Sequence, residues 1–390
     1  MATVDDAPAT PPFPYAIEVP DRIPKERYYD EGFFRLEAER LWPRVWQMAC
    51  RLEEIPEPRD FVEYENLDQS VLVVRQDDGS VAAFQNACRH RGVKVAVDRG
   101  RCESGFTCPF HGWCYEADGT NTYVSKRSSF AEHNLDPADL ALTPVRCETW
   151  SGWAFVNLDP EAPPLRECIE PFATLLEAWG VDDVRVEWWN AFRLPVNWKL
   201  AEAAFLEQYH VIETHPQLVD AGRFPPRDPA AFDARGWLDS QLRYLRTMNE
   251  GMAGMVHASD VAVAERLAAE LDSADGADLL AGDYATATAA WERAYKDAVV
   301  AWHRDAGHEL VDLNELEAAG LEEPMAYCFP HFFVLPMYSS CSSYRFRPLG
   351  PEECLMEIWS LTRYAEGDDR PRPMPPEVWE FDDPRVPPIP

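Results

Sequence analysis

Between residues 71 and 84 apolar and polar positions alternate in short runs. Val71 to Arg75 and Val81 to Phe84 are rich in β-forming side chains, and Asp77, Asp78 and Gly79 separate them. That pattern predicts a hairpin. Gly119 and the run from Ser151 to Leu158 continue the strand-and-turn texture, so residues 42–160 read as a compact all-β domain. Pro160, Pro163 and Pro164 then break the chain, and longer helical stretches follow, from Pro171 to Trp179 and from Trp198 to Ile212. From Asp260 to His308 the chain is Ala-rich, with acids and aromatics near helical spacing. Two or three amphipathic helices are expected there. The tract from Tyr327 to Thr362 returns to β-branched and aromatic residues, which predicts a meander of antiparallel strands. The fold class is α+β, with an N-terminal segment (1–41), an all-β domain (42–160) and a mixed domain (161–390).

Composition narrows the partners. A formal charge of −32 over 390 residues repels phosphate, so neither nucleic acid nor an anionic membrane is expected as a main partner. Met1 to Pro24 is Pro-rich and polar, and no run approaches the roughly 18 apolar residues of a membrane span. A cytoplasmic protein is expected. The ten Cys lack the dense spacing of a disulfide framework. Metal ligation by a few of them is the better expectation, with Cys102, Cys114 and the others as ordinary thiols.

Cys88-Arg-His90 is followed, seventeen residues on, by Cys108-Pro-Phe-His111. Two Cys–His pairs thus face each other from two loops. Thiolates suit the iron and sulfide of a [2Fe–2S] cluster, and two imidazoles on one iron make such a cluster easier to reduce. Structural zinc also takes Cys₂His₂ sets, but usually pairs Cys with Cys and His with His along the chain. Gly92, Gly112 and Pro109 fit tight loops around these ligands.

A second constellation lies in the stretch from Asn197 to Pro216. On a helix, Glu207 and His210 share one face at i,i+3 spacing, and His215 follows five residues later, where Pro216 ends the helix. Two imidazoles and a carboxylate form the facial triad of non-haem Fe(II) oxygenases.

Together these residues, with the Asn197-Trp198-Lys199 lead-in, make the chain resemble the alpha subunits of Rieske non-haem iron aromatic-ring-hydroxylating oxygenases over nearly its whole length. The resemblance implies an antiparallel β Rieske domain plus a helix-grip catalytic domain, in which an antiparallel sheet with covering helices encloses an apolar pocket. The segment 1–41 then packs on the catalytic domain. It also implies a [2Fe–2S] cluster on Cys88, His90, Cys108 and His111, and a mononuclear iron on His210 and His215. Glu207 would bridge from His210 to His111 of an adjacent chain in a homotrimer, with or without a small β subunit. Electrons would come from a separate NAD(P)H-dependent reductase, with or without a ferredoxin, to activate O₂ against an apolar, aromatic substrate.

Two departures stand out. The acid that relatives carry just before Ala204 is displaced to Glu202, with Ala203 in its place. The third iron ligand, a carboxylate, is expected in a segment beyond Pro390, with Asp382 and Asp383 the nearest acids within the chain. Phe205, Phe332, Phe333, Tyr338 and Tyr344 are candidates to line the pocket. The rival reading is an electron carrier or hydrophobic-ligand binder that keeps the cluster and lacks the oxygenase iron.

Overall fold

The computed structural model describes residues 14–384, apart from 134, 208, 216–231, 251–254, 272–279, 366, 369 and 371. Two larger sheets organise it. The first takes β1 (Gln47–Arg51), β2 (Asp60–Asn66), β3 (Gln69–Arg75), β4 (Val81–Gln85), β5 (Arg99–Arg101), β9 (Pro144–Trp150) and β10 (Trp153–Asn157) in the order β1-β10-β9-β4-β3-β2-β5. Its β3–β4 hairpin is the one announced by Asp77-Asp78-Gly79: Val71 pairs with Gln85 and Arg75 with Val81. Gly79, at φ +85°, supplies the left-handed position that the turn needs. A small three-stranded sheet, β6 (Phe106–Thr107), β7 (Cys114–Tyr115) and β8 (Asn121–Tyr123), stands apart and carries one of the two motif loops.

The second large sheet contains β11 (Val184–Leu194), β12 (Ala326–Cys328), β13 (Phe332–Pro336), β14 (Cys341–Gly350), β15 (Glu353–Arg363) and β16 (Val378–Glu380). Its order is β12-β13-β14-β15-β11-β16, so the expected meander from Tyr327 to Thr362 forms and then accepts β11 at its side. Among the described strands of this sheet, only β16 runs parallel to its neighbour, β11.

Because side chains alternate across a strand, this sheet buries two different faces. Phe332, Val334, Trp359 and Leu361 point toward Met48, Trp153 and Phe155 of the first sheet and toward helices Phe172–Trp179, Ala258–Leu271 and Tyr284–Asp305. Phe333, Tyr344, Phe346, Met356 and Ile358 point the other way, toward helix Trp198–Ala203. Phe332 has no exposed surface, and it meets Trp153, Phe155 and Phe172 edge-on at centroid distances of 5.5, 5.9 and 5.8 Å. Burying one such ring stabilises the junction by about 2 kcal/mol.

Polar groups fasten the same junction. Arg345 and Glu357 are buried and paired through two 2.8 Å hydrogen bonds, and Arg345 also donates to the Met48 and Ala49 carbonyls of β1. The buried His331 accepts from the Met48 N–H at 3.2 Å, while its Nδ1 donates to the Phe346 carbonyl. Burial and the Arg345 charge hold this imidazole down to about 3, so it is neutral.

The Trp198 to Ile212 stretch departs from the single helix expected. Helix Trp198–Ala203 stops, the backbone turns at 204–206 and again at 209–210, and a one-turn helix follows at Val211–Thr214. The reason lies in Glu207, whose carboxylate accepts from the backbone N–H groups of Tyr209 and His210. Such side-chain bonds compete with the helical ladder. The aromatic candidates for the pocket divide between two faces: Phe332 faces the first sheet and Tyr338 lies against Tyr295 at 4.6 Å, whereas Phe205, Phe333 and Tyr344 share the other face.

Candidate cluster and metal centre

The two motif loops are built alike. In each, the Cys N–H donates to the carbonyl five residues on, Cys88 to Val93 and Cys108 to Trp113, both at 2.8 Å. In each, the Gly four residues on donates back to the Cys carbonyl, Gly92 at 2.8 Å and Gly112 at 3.0 Å. Both glycines sit at positive φ, +72° and +69°, with open space where a Cβ would be. Backbone conformation, not crowding, selects glycine there.

These loops present four side chains as two pairs. The Cys88 and Cys108 thiols are buried and interact with each other. His90 and His111 lie outward, Nδ1 to Nδ1 at 3.1 Å. His90 is stacked on Trp113 at 5.1 Å and 9°. One zinc ion needs all its donors around one point, whereas a two-iron cluster needs two donors at each end. Among the described residues no three His, Cys, Asp or Glu donors converge on one point. The Cys pair and the His pair therefore fit the two ends of a cluster.

Sequence reasoning missed Tyr115. Its hydroxyl lies 3.1 Å from Cys88 Sγ and accepts from the Arg89 N–H at 3.1 Å. Burial raises the Cys88 thiol and Tyr115 opposes that shift, since a donor to sulfur favours the thiolate. The alternation Trp113-Cys114-Tyr115 after the second loop is the signal that could have pointed to it.

The second constellation is partly assembled. His210 Nδ1 lies 2.6 Å from Glu207 Oε1, and the His210 and His215 rings are 5.3 Å apart at 70°. The contact expected from a helix face is thus made by a turn. Glu207 stays exposed; desolvation is the largest single influence on its carboxyl and raises it, but the hydrogen bonds from His210 and the Tyr209 N–H together hold it below the ordinary range. Two neighbouring imidazoles fit two positions of a mononuclear iron. No third donor joins them among the described residues: Asp382 and Asp383 follow the edge strand β16. Pro216 lies outside the described residues.

The Asn197-Trp198-Lys199 lead-in anchors this segment. Asn197 caps helix Trp198–Ala203 by accepting from the Lys199 N–H at 3.0 Å, and it donates to the Pro351 carbonyl at 2.6 Å. Trp198 packs edge-on against Trp42 at 5.1 Å, and Lys199 pairs with Glu37 at 2.6 Å. On the inner face of the same helix, Glu202 is buried with Oε1 unpartnered and Oε2 3.4 Å from the Tyr327 hydroxyl. Burial pushes its carboxyl up to about 8, and the Tyr327 contact offsets only part of that.

Comparison with known proteins agrees with this arrangement. Residues 45–133 match the family model of the Rieske [2Fe-2S] domain, and residues 177–383 match that of the ring hydroxylating alpha subunit (catalytic domain). The carnitine monooxygenase oxygenase subunit of Escherichia coli K12 is 31% identical over 201 residues, 51% of this chain and 53% of that protein. The anthranilate 1,2-dioxygenase large subunit of Acinetobacter baylyi is 33% identical over 201 residues, 50% of this chain and 42% of that protein. The chain thus spans about half the length of the curated relatives it matches.

Solved structures share the fold. A quaternary ammonium Rieske monooxygenase in its apo form superposes with a TM-score of 0.56 at 16% identity, covering 89% of this chain and 76% of that one. Naphthalene 1,2-dioxygenase from Rhodococcus sp. gives 0.58 at 19%, covering 90% and 75%. The two matched domains imply one [2Fe–2S] cluster and one mononuclear iron. By the paired donors and by a catalytic-domain match across more than half its length, the chain belongs to the ring-hydroxylating oxygenase alpha subunits, with a Rieske domain ahead of the catalytic domain.

Proposed function

We propose that this chain is the terminal oxygenase of a multicomponent system, taking electrons from a separate NAD(P)H-dependent reductase, directly or through a ferredoxin, in the cytoplasm. Cys88 and Cys108 would hold one iron of the cluster and His90 and His111 the other, within a domain spanning residues 42–160. His210 and His215 would hold the mononuclear iron in a domain spanning residues 161–390, against which residues 1–41 pack. When bound, the cluster supplies electrons one at a time, and the Fe(II) activates O₂. The protein's own residues set the geometry. Tyr115 steadies the Cys88 sulfur, Trp113 fixes the His90 ring by stacking, and Glu207 orients the His210 imidazole through Nδ1.

The observation that carries this reading is the separation of the first four donors into a thiol pair and an imidazole pair, with a further imidazole pair in the catalytic domain. The exposed Glu207 already holds His210 at 2.6 Å, and at the surface it would be placed to meet His111 of a neighbouring subunit in a trimer. We favour an aromatic substrate, because the sheet face under Phe205 is itself aromatic: Phe333, Tyr344 and Phe346 lie 5.2, 4.9 and 6.0 Å from its ring. Relatives named for carnitine and glycine betaine make quaternary ammonium compounds the competing class.

The test is O₂-dependent product formation by the purified, cluster-loaded chain with a compatible reductase. The panel should hold benzoate-like and amino-aromatic acids beside carnitine and glycine betaine, with labelled O₂ traced into the product. Labelled aromatic products support the proposal. Turnover of the ammonium compounds alone would overturn the substrate class. A reducible cluster with no labelled product from any compound would favour the electron-carrier reading.

A further inference from the structure

Helix Tyr284–Asp305 ends in a motif that sets two histidines side by side. Gly307, at φ +83°, donates to the Arg304 carbonyl at 3.1 Å, and the His308 N–H reaches back to the His303 carbonyl at 2.9 Å. This double bond pattern is a Schellman cap, which brings the third residue from the helix end against the second residue beyond it. That contact is commonly apolar. Here both residues are histidine, and their Nδ1 atoms approach to 2.8 Å, closer than the 3.1 Å of His90 and His111. The spacing His-x₄-His also repeats that of His210 and His215.

The other nitrogen of His303 is committed. Its Nε2 lies 3.0 Å from Asp260 Oδ1, and Asp260, with no exposed surface, also accepts from the Ser339 hydroxyl at 2.8 and 2.7 Å and the Ser339 N–H at 3.2 Å. A carboxylate so held accepts the Nε2 proton and turns the Nδ1 lone pair toward His308. Carboxylate–imidazole support of this kind is what metal-ligating histidines use to fix their tautomer.

We propose that His303 and His308 form a transition-metal site through their two Nδ1 atoms, separate from the cluster and the mononuclear iron, for a borderline divalent ion such as Ni²⁺ or Zn²⁺. Imidazole suits these ions, and neither nitrogen carries a charge that must be neutralised. On a tetrahedral ion with bonds of about 2.0–2.1 Å, the nitrogens stand about 3.3 Å apart. For a tetrahedral Zn²⁺ the pair has to open by roughly half an ångström, whereas at cis positions of a tetragonal Ni²⁺ the nitrogens stand about 2.9 Å apart, close to the observed 2.8 Å. His308 is half-buried, so water reaches the ion from outside. Among the described residues no third donor joins the pair, and water completes the coordination. Burial and the charge of Arg363 oppose a positive charge at His308, and the charge of Asp368 favours one.

The probe is Ni²⁺, an ion that imidazole suits. The background is the full chain, cluster-loaded, with His210→Ala and His215→Ala removing the other pair. Equilibrium dialysis near neutral pH should find about one Ni²⁺ per chain in this background and none after His308→Ala is added, and Ni²⁺ should raise the melting temperature of the first protein only. His308 sits at a half-exposed helix end, and an unchanged cluster spectrum verifies that the variant is folded. Equal Ni²⁺ uptake with and without His308, or no uptake in the background, would overturn the site. Because the iron pair is absent throughout, neither result bears on the oxygenase reading.

Discussion

Replacing Glu202 by Gln should stabilise the protein at neutral pH and flatten its pH dependence. The carboxyl is buried, one oxygen has no partner, and burial moves it from the ordinary 4.5 up to about 8. The sign is the reverse of a carboxylate in an ion pair: a raised value means that the folded chain holds the proton more tightly than the unfolded chain. Stability from this group is therefore full below about 4.5 and is lost as pH rises toward about 8. At roughly 1.4 kcal/mol per unit, the loss between pH 5 and pH 7 is roughly 2–3 kcal/mol. Gln keeps the shape and stays neutral, so that part of the slope disappears. Urea unfolding at both pH values, followed by the same probe, gives the difference between wild type and variant and cancels the other titrating groups. Infrared spectra supply a direct check, because a protonated carboxyl band should fade as pH passes about 8 in wild type and be absent from Glu202→Gln. Identical pH slopes with no such band would refute the reasoning and show that water reaches and solvates Glu202.

Three further outcomes follow from the geometry. Tyr115→Phe should lower the cluster reduction potential while leaving iron and sulfide content unchanged, because it removes the hydroxyl 3.1 Å from Cys88 Sγ; a redox titration followed by visible absorption checks it. Glu357→Gln should destabilise the protein by about 3–5 kcal/mol by leaving Arg345 buried and unpaired, read as a lower unfolding midpoint. Glu357 itself is held down to about 2 by Arg345 and Arg347 against its desolvation, so its stabilising contribution should be present above about 4.5 and lost as acid titration runs from there to about 2. Glu207→Gln should preserve the cluster spectrum yet slow turnover by about 10-fold or more, since it loosens the orientation of His210 without removing a ligand; wild-type turnover would mark Glu207 as a surface acid.

What was legible in the sequence was what neighbouring residues decide among themselves. The β3–β4 hairpin follows from Asp77-Asp78-Gly79, and the two motif loops follow from a Cys with a Gly four residues on, whose positive φ closes each turn. The meander between Tyr327 and Thr362 was also legible, because its strands follow one another directly. The two faces of that sheet were not. Phe332 and Phe333 are adjacent and equally buried, and composition cannot say which one meets the first sheet and which one Phe205. The break after Ala203 was hidden for a different reason. Ala, Leu and Glu favour helix, and only the three-dimensional reach of the Glu207 carboxylate to two N–H groups overrides them. The His303–His308 pair was not legible, because it depends on the Schellman turn and on the buried Asp260 beneath it.

Metal and sulfide analysis of the freshly purified chain, beside its His210→Ala, His215→Ala variant, tests the central claim most directly. The account predicts about three iron per two acid-labile sulfides in the first and about two iron per two sulfides in the second, with the same visible spectrum of a His-ligated cluster. A colourless protein holding zinc and no sulfide would contradict the assignment of Cys88, His90, Cys108 and His111. Equal iron content in the two proteins would contradict that of His210 and His215.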